Sequence, residues 1–265
     1  MSMAENMENT KKELGQHWLK DLSILTAIAD AADLQPDDHV LEIGPGLGTL
    51  TKVIVQKCQV TALEFDRDLI AGLSKQFSGN QKVEILQGDV RTFDFTAMQS
   101  GYKIVANIPY YLTSHLIRSI SETSNPPALA VLLIQKEVAE RLCAEPGEMS
   151  ILAITAQFYF ECSLDIEVSA HFFTPPPKVD SQVVILRRRP QTLFNVDVSR
   201  FFRLIKAGFS EKRKTLRNSL SGGLHISKQE AETILSAADI NFETRAQQLS
   251  LEEWYRLYQA LDNLA

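Results

Sequence analysis

Between residues 40 and 134 short apolar runs alternate with helically spaced segments, and that alternation admits few folds. Val40 to Ile43, Val60 to Phe65, Val83 to Leu86, Ile104 to Ala106 and Ala130 to Ile134 read as buried strands. Thr49 to Gln56, Asp66 to Phe77 and Ser114 to Ile120 read as helices, and a further helix is expected from Asp21 to Ala32. Strands and helices in this order imply an α/β fold with a mostly parallel sheet covered by helices on both faces. "LDIEVS" and "SQVVILR" flank the proline-rich "HFFTPPPKVD", a connection too long for a tight hairpin, and are expected to pair antiparallel at one sheet edge. Beyond Pro190 the pattern is helical only, which places a domain boundary near residue 190. The expected organisation is a disordered polar tail over 1–10, an α/β domain over 11–190 and a smaller all-helical domain over 191–265.

The strand ends carry the chemistry. "VLEIGPGLGTLT" is a strand, a turn with Gly44, Gly46 and Gly48, and a helix start. Glycines there let the backbone approach a ligand at the carboxyl edge of a parallel sheet. The spacing G-x-G-x-G and the donor lost at Pro45 disfavour a pyrophosphate cradle. Glu64 ends the second strand and suits both hydroxyls of a ribose. Asp89 ends the third and suits an adenine amino group, and Asn107 ends the fourth. Each alone could be a cap or turn residue; together they predict a nucleoside-binding rim at the switch point of the sheet. An acidic rim without a phosphate cradle suits a cationic ligand such as S-adenosylmethionine.

The chain has 265 residues and a net charge of −6. From Arg187 to Arg217 there are ten Lys or Arg against Asp197 and Glu211, a local net of +8 that leaves −14 on the remainder. A basic block on an acidic body points to a polyanionic partner, and Arg203, Lys206, Lys212, Arg213, Lys214 and Arg217 are its expected phosphate contacts. The alternative is a solvated helix face. Three scattered cysteines and five histidines without ligand spacing predict no metal site and a reducing, cytoplasmic setting. No apolar run reaches the length of a membrane span, and the amino terminus lacks the apolar core of a secretory signal.

The segments "LGQHWLKD", "LEIGPGLGTLT", "LEFD", "GDV", "NIPYYLTS", "FFTPPPKVDS" and "FSEKRKTLRNSL" resemble, in order, the motifs of the ribosomal RNA adenine dimethyltransferases, most closely the bacterial small-subunit (KsgA) branch. The resemblance implies a Rossmann-like methyltransferase fold and S-adenosylmethionine as cofactor. It implies a role in small-subunit biogenesis, with the assembling small ribosomal subunit as partner and two adjacent adenosines of the 3′-terminal hairpin loop of its rRNA methylated twice at N6. By the same resemblance His17, Leu19, Gly44, Gly46, Glu64, Asp89 and Asn107 hold the cofactor. His17 and Trp18 stand where the family has asparagine and phenylalanine. Asn107 and the Ile108 carbonyl would accept from the target amino group, Pro109 would stiffen that turn, and Tyr110 and Phe173 would stack on the base. Tyr111 is expected to pack in the core or at an edge. A monomer is expected. The rival readings are a large-subunit rRNA methyltransferase of the erythromycin-resistance type, against which "KRKTLRN" speaks, a non-catalytic assembly factor, against which the intact N-I-P-Y and both rim acids speak, and a DNA adenine methyltransferase, whose motif usually has an acidic first residue and two prolines.

Overall fold

A computed structural model describes residues 16–264, so the expected tail over 1–10 lies outside the described residues. The chain forms two compact units. The first runs to Glu140 and resumes over Phe160–Arg188; the second comprises Arg141–Tyr159 and Arg189 onward. The division differs from a single boundary near 190, because the segment before Tyr159 packs with the helices that follow Arg189. Phe158 lies against Phe201 at 5.4 Å, and Tyr159 stacks on Phe202 at 6.3 Å.

The first unit opens with β1 (Trp18–Leu19) and α1 (Leu22–Asp30), whose amino end is capped by the Asp21 carboxylate accepting from the Ser23 and Ile24 amides. Then come β2 (His39–Ile43), α2 (Thr49–Ile54), β3 (Gln59–Glu64), α3 (Arg67–Gln76), β4 (Val83–Gln87), β5 (Lys103–Asn107), α4 (Thr113–Glu122) and β6 (Leu129–Gln135). After α5 (Lys136–Leu142) and α6 (Ile151–Tyr159) the chain returns as β7 (Phe160–Val168), β8 (Phe173–Thr174) and β9 (Ser181–Arg188). Seven strands form one sheet in the order β4-β3-β2-β5-β6-β9-β7. β4, β3, β2, β5 and β6 are parallel, and β9 and β7 add antiparallel. The expected α/β sheet is therefore present, with β7 and β9 forming the expected antiparallel pair at its edge. The middle strands read as continuous apolar runs because helices cover both faces: Val40, Leu41, Ile104, Val105 and Val131 are fully buried.

Strand order reverses about β2, which has β3 on one side and β5 on the other. The loops leaving β2 and β5 therefore diverge, and a crevice opens between them at the carboxyl ends. Those loops are the glycine turn and the N-I-P-Y segment. Across the crevice mouth β1 pairs antiparallel with β8, Trp18 opposite Thr174 and Leu19 opposite Phe173, as a separate two-stranded ribbon.

The second unit adds α7 (Val198–Gly208), α8 (Leu216–Leu224), α9 (Lys228–Ala237) and α10 (Leu251–Leu264) to α6. Its core is Phe158, Phe201, Leu204, Leu216, Leu220, Trp254 and Leu257. Ser227 and Glu230 close a reciprocal capping box on α9. No helix among the described residues is long and apolar enough to cross a membrane.

Candidate active site

The crevice of the first unit is one cavity, lined by residues from successive strand ends and the loops beyond them. His17, Leu19, Gly44, Gly46, Glu64, Asp89, Asn107, Pro109, Tyr110 and Phe173 all line it, so the structure brings together every cofactor and substrate residue expected in this unit.

The glycine turn follows from backbone conformation. Gly44, Gly46 and Gly48 have φ of 69°, 58° and 71°, a region that disfavours any side chain. At Gly46 there is a second constraint: a Cβ would lie 2.4 Å from the Trp18 ring. The Trp18 indole therefore rests on bare backbone, flanked by Leu69, Leu73 and Phe77. Gly46 N–H donates to Glu64 Oε2 at 3.0 Å, and Asp66 N–H donates to Oε1 at 2.7 Å. These two bonds hold the Glu64 carboxylate in one rotamer and leave each oxygen a further lone pair. Burial pushes the Glu64 carboxyl above its ordinary value while the backbone amides of Asp66, Gly46 and Phe65 oppose the shift.

Asp89 is engaged differently. Arg91 Nε and Nη2 grip its carboxylate, the shortest contact being 2.6 Å, and the Arg91 amide donates to Oδ1 at 2.9 Å. The guanidinium holds the Asp89 carboxyl below its ordinary value.

At the end of β5, the Asn107 side chain makes no hydrogen bond with the described residues and lines the cavity. Pro109, at φ −56°, starts a single turn of 3-10 helix over Tyr110–Leu112 that leads into α4. The Tyr110 hydroxyl bonds Ser181 Oγ at 2.9 Å, which fixes the plane of its ring. Burial raises the Tyr110 phenol above its usual range. Tyr111 is 57 % exposed, so of core or edge packing the core is ruled out. Its ring is left at the cavity mouth because the 3-10 turn directs successive side chains to different sides.

His17 lies 6.0 Å from the Tyr110 ring in a stacked arrangement, and its Nδ1 is 2.7 Å from the Pro175 carbonyl. A carbonyl can only accept, so the proton sits on Nδ1 and Nε2 is left as an acceptor in the neutral ring. The donor that could stand in for an asparagine amide is therefore spent on the proline loop. Leu19 is buried, and its carbonyl accepts from Thr49 Oγ1 at 3.0 Å. Phe173 departs from expectation. It is 3 % exposed and belongs to the same apolar cluster as Leu19, Leu25 and Ile28. Pairing of β8 with β1 buries the ring, so it forms wall and not an open stacking face.

Two residues at this site carry signals that sequence reasoning passed over. Glu42 lies inside β2, fully buried, accepting from the Thr51 hydroxyl at 2.5 Å; burial pushes its carboxyl up to about 8. An acid in the middle of an apolar parallel strand is the signal. Phe65 lines the cavity at 51 % exposure, directly after the strand-end acid Glu64, where a ring has no packing reason to be.

In the second unit Arg203 and Lys206 are exposed on α7. Lys212, Arg213 and Lys214 are also exposed, but in the turn between α7 and α8 and not on a helix as expected. The helix ends at Gly208, and Lys214 N–H closes the turn on the Glu211 carbonyl at 2.9 Å. Arg217 does not stand free for phosphate. Its guanidinium pairs with Glu232 at 2.9 Å and Glu243 at 3.4 Å and lies over the Phe242 ring. Among the described residues no group of His, Cys, Asp or Glu could hold a metal ion.

Residues 7–263 match the family described as ribosomal RNA adenine dimethylase. The chain belongs to that family. It is an S-adenosylmethionine-dependent ribosomal RNA adenine dimethyltransferase. It is 40 % identical over 253 residues to the ribosomal RNA small subunit methyltransferase A of Dehalococcoides mccartyi, covering 93 % of this chain and 87 % of that one. Among solved structures it is similar to a dimethyladenosine transferase from Plasmodium falciparum, at 27 % identity and a TM-score of 0.80 over 93 % of this chain and 98 % of that one. The 23S rRNA methyltransferase ErmE is also similar, at 28 % identity and a TM-score of 0.75 over 92 % and 99 % of the two chains. The dimethylase cavity fits its cofactor: a side-chain-free turn beside a buried carboxylate with lone pairs to spare, and two further polar side chains at adjacent strand ends.

Proposed function

We propose that this dimethylase converts two adjacent adenosines in the 3′-terminal hairpin loop of small-subunit rRNA to N6,N6-dimethyladenosine, acting as a cytoplasmic monomer on the assembling subunit. The observation that carries the reading is the unpartnered Asn107 amide in the same cavity as the glycine turn and Glu64. The small-subunit assignment is supported by the similarity to the small-subunit methyltransferase of Dehalococcoides and by the exposed "KRK" turn.

S-adenosylmethionine supplies an electrophilic methyl group on its sulfonium. Glu64 accepts from the ribose hydroxyls, Gly44 and Gly46 admit the methionine portion, and Asp89 takes the adenine amino group. Leu19 and His17 close the site, His17 presenting Nε2 as an acceptor. Phe65 offers a face to the cofactor adenine. The target adenosine must leave its stack, at a cost of a few kcal/mol. Tyr110, held by Ser181, returns roughly 1–3 kcal/mol of that by stacking. Asn107 Oδ1 and the Ile108 carbonyl accept the two amino hydrogens and draw the N6 lone pair out of conjugation. Held this way, N6 would be positioned to take the methyl group that the bound cofactor supplies, with S-adenosylhomocysteine as leaving group; its proton would be lost to solvent afterwards, so these residues need supply no strong base. Positioning and fixed dipoles supply the acceleration. Arg203, Lys206, Lys212, Arg213 and Lys214 bind RNA phosphates.

The test is incubation of unmethylated small subunits, and separately of naked large-subunit rRNA, with isotope-labelled cofactor, followed by mass spectrometry of rRNA fragments. Four labelled methyl groups on two neighbouring adenosines of the small-subunit 3′-terminal fragment are expected. Label confined to large-subunit rRNA would overturn the assignment.

A further inference from the structure

The Asp89 carboxylate accepts from three N–H groups, one of them shared between its two oxygens. Oδ1 accepts from the Arg91 amide at 2.9 Å and from Arg91 Nε at 3.0 Å; Oδ2 accepts from Nε at 2.9 Å and Nη2 at 2.6 Å. A carboxylate offers about four lone-pair sites. All three donors belong to Arg91, and the fork of Nε–H and Nη2–H covers both oxygens, so a ligand donor must compete with the guanidinium. Glu64, the other rim acid, accepts only from backbone amides and keeps capacity for a ligand. The two acids of one cavity thus differ: Glu64 is held by fixed backbone amides, Asp89 by a side-chain cation.

The occupying cation can leave. The Arg91 side chain is 52 % exposed and that of Asp89 only 22 %, so the guanidinium lies on the solvent side of the carboxylate. Arg91 lines the cavity beside Asp89 and Val90, and so does the exposed ring of Tyr111. An exposed ion pair is weak, and a ligand donor held by the rest of the cavity can compete with it.

We propose that Arg91 is a latch on the cofactor site: its guanidinium occupies Asp89 until the cofactor adenine amino group displaces it, and the freed cation then binds an rRNA phosphate at the cavity mouth. The inference rests on the placement of that amino group at Asp89 proposed above. Two consequences follow from thermodynamic reciprocity. Cofactor binding makes a cation available and so tightens RNA binding, and RNA, by holding Arg91 away, tightens cofactor binding by the same factor. The dimethylase thereby favours RNA docking on the loaded enzyme.

The experiment uses S-adenosylhomocysteine, which occupies the site without transferring a methyl group, and its 6-oxo (inosine) analogue, which has no amino group to donate. Calorimetry on the full chain measures both ligands with wild type, Arg91→Met and Asp89→Ala. Arg91→Met is expected to bind S-adenosylhomocysteine roughly two- to fivefold more tightly, the size of one exposed ion pair, with no gain for the analogue. Binding of purified small ribosomal subunits is then measured with and without S-adenosylhomocysteine. Wild type is expected to bind more tightly with it, and Arg91→Met to bind equally in both conditions. The latch is overturned if Arg91→Met shows no gain, if both ligands gain equally through a general charge effect, or if wild-type RNA binding ignores S-adenosylhomocysteine. If Asp89→Ala binds S-adenosylhomocysteine as wild type does, the adenine placement itself is wrong and the latch goes with it; if Asp89→Ala loses affinity while Arg91→Met gains none, only the latch is refuted.

Discussion

Replacing Glu42 with glutamine should make the first unit more stable, and increasingly so as pH rises. Glu42 is enclosed in β2, and burial pushes its carboxyl from 4.5 up to about 8, with the nearby Glu64 charge adding to the shift and the Thr51 hydroxyl opposing it. At neutral pH the folded protein therefore holds a proton at Glu42 that the unfolded chain has lost. A native state that binds more protons than the unfolded state loses stability as pH rises. The loss begins near pH 4.5, runs through the window up to pH 8, and is complete above it. Between pH 5 and pH 9 three units of that window are crossed, and at about 1.4 kcal/mol per unit the penalty is about 4 kcal/mol. Glutamine has the shape of the protonated acid and nothing to titrate, so the difference between the two proteins isolates this term. Other titrations are common to both; Glu64 couples to Glu42 only when Glu42 is charged, which sets in above about pH 8. Urea unfolding at one-unit steps from pH 5 to pH 9 provides the assay. The chain has two tryptophans, one in each unit, and a Trp254→Phe background leaves Trp18 as the reporter of the first. The stabilities should nearly coincide at pH 5 and diverge steadily up to pH 8. A difference that stays constant within about 1 kcal/mol across the range would refute the reasoning and require Glu42 to be charged in the folded protein.

Gly46→Ala should fold and lose cofactor affinity by at least tenfold, because the new Cβ lies 2.4 Å from Trp18 and the position has φ 58°; calorimetry with a shifted Trp18 emission maximum checks it. Asn107→Ala should abolish methyl transfer while leaving cofactor affinity within a few-fold, measured by single-turnover transfer beside equilibrium binding; full activity in a folded variant removes the acceptor role. Replacing Lys212, Arg213 and Lys214 together by glutamine should weaken RNA binding and flatten its salt dependence, by about 0.7–0.9 in log–log slope for each phosphate no longer neutralised. Cofactor binding should be unchanged, and filter binding at several salt concentrations is the measurement.

Much of the first unit was legible because its information is local. The alternation of periods, the three glycines and the acid closing β3 are read from neighbours in the chain, and each expected strand and helix between residues 40 and 134 is present within a few residues. What was not legible depends on distant partners. β1 and β8 are two residues long and have no period of their own; each is a strand only because the other lies opposite. That pairing buries Phe173, which by residue type alone looks like a stacking ring. Arg217 reads as one more cation in a basic run until Glu232 and Glu243 are brought to it. The helix over Ile151–Tyr159 follows the sheet in sequence but packs with Phe201 and Phe202, far along the chain.

That last helix changes what can be exchanged between relatives. The chain leaves the sheet after β6, contributes α6 to the helical unit, and returns to lay down β7 and β9. The helical unit is thus an insertion and a tail together, joined by three peptide crossings. A graft made with one cut near residue 190 would carry away Phe201 and Phe202 and leave Phe158 and Tyr159 exposed on the donor half. The helical unit of this chain can be traded only as a matched pair of segments, and recombination at a single junction near residue 190 will return misfolded hybrids.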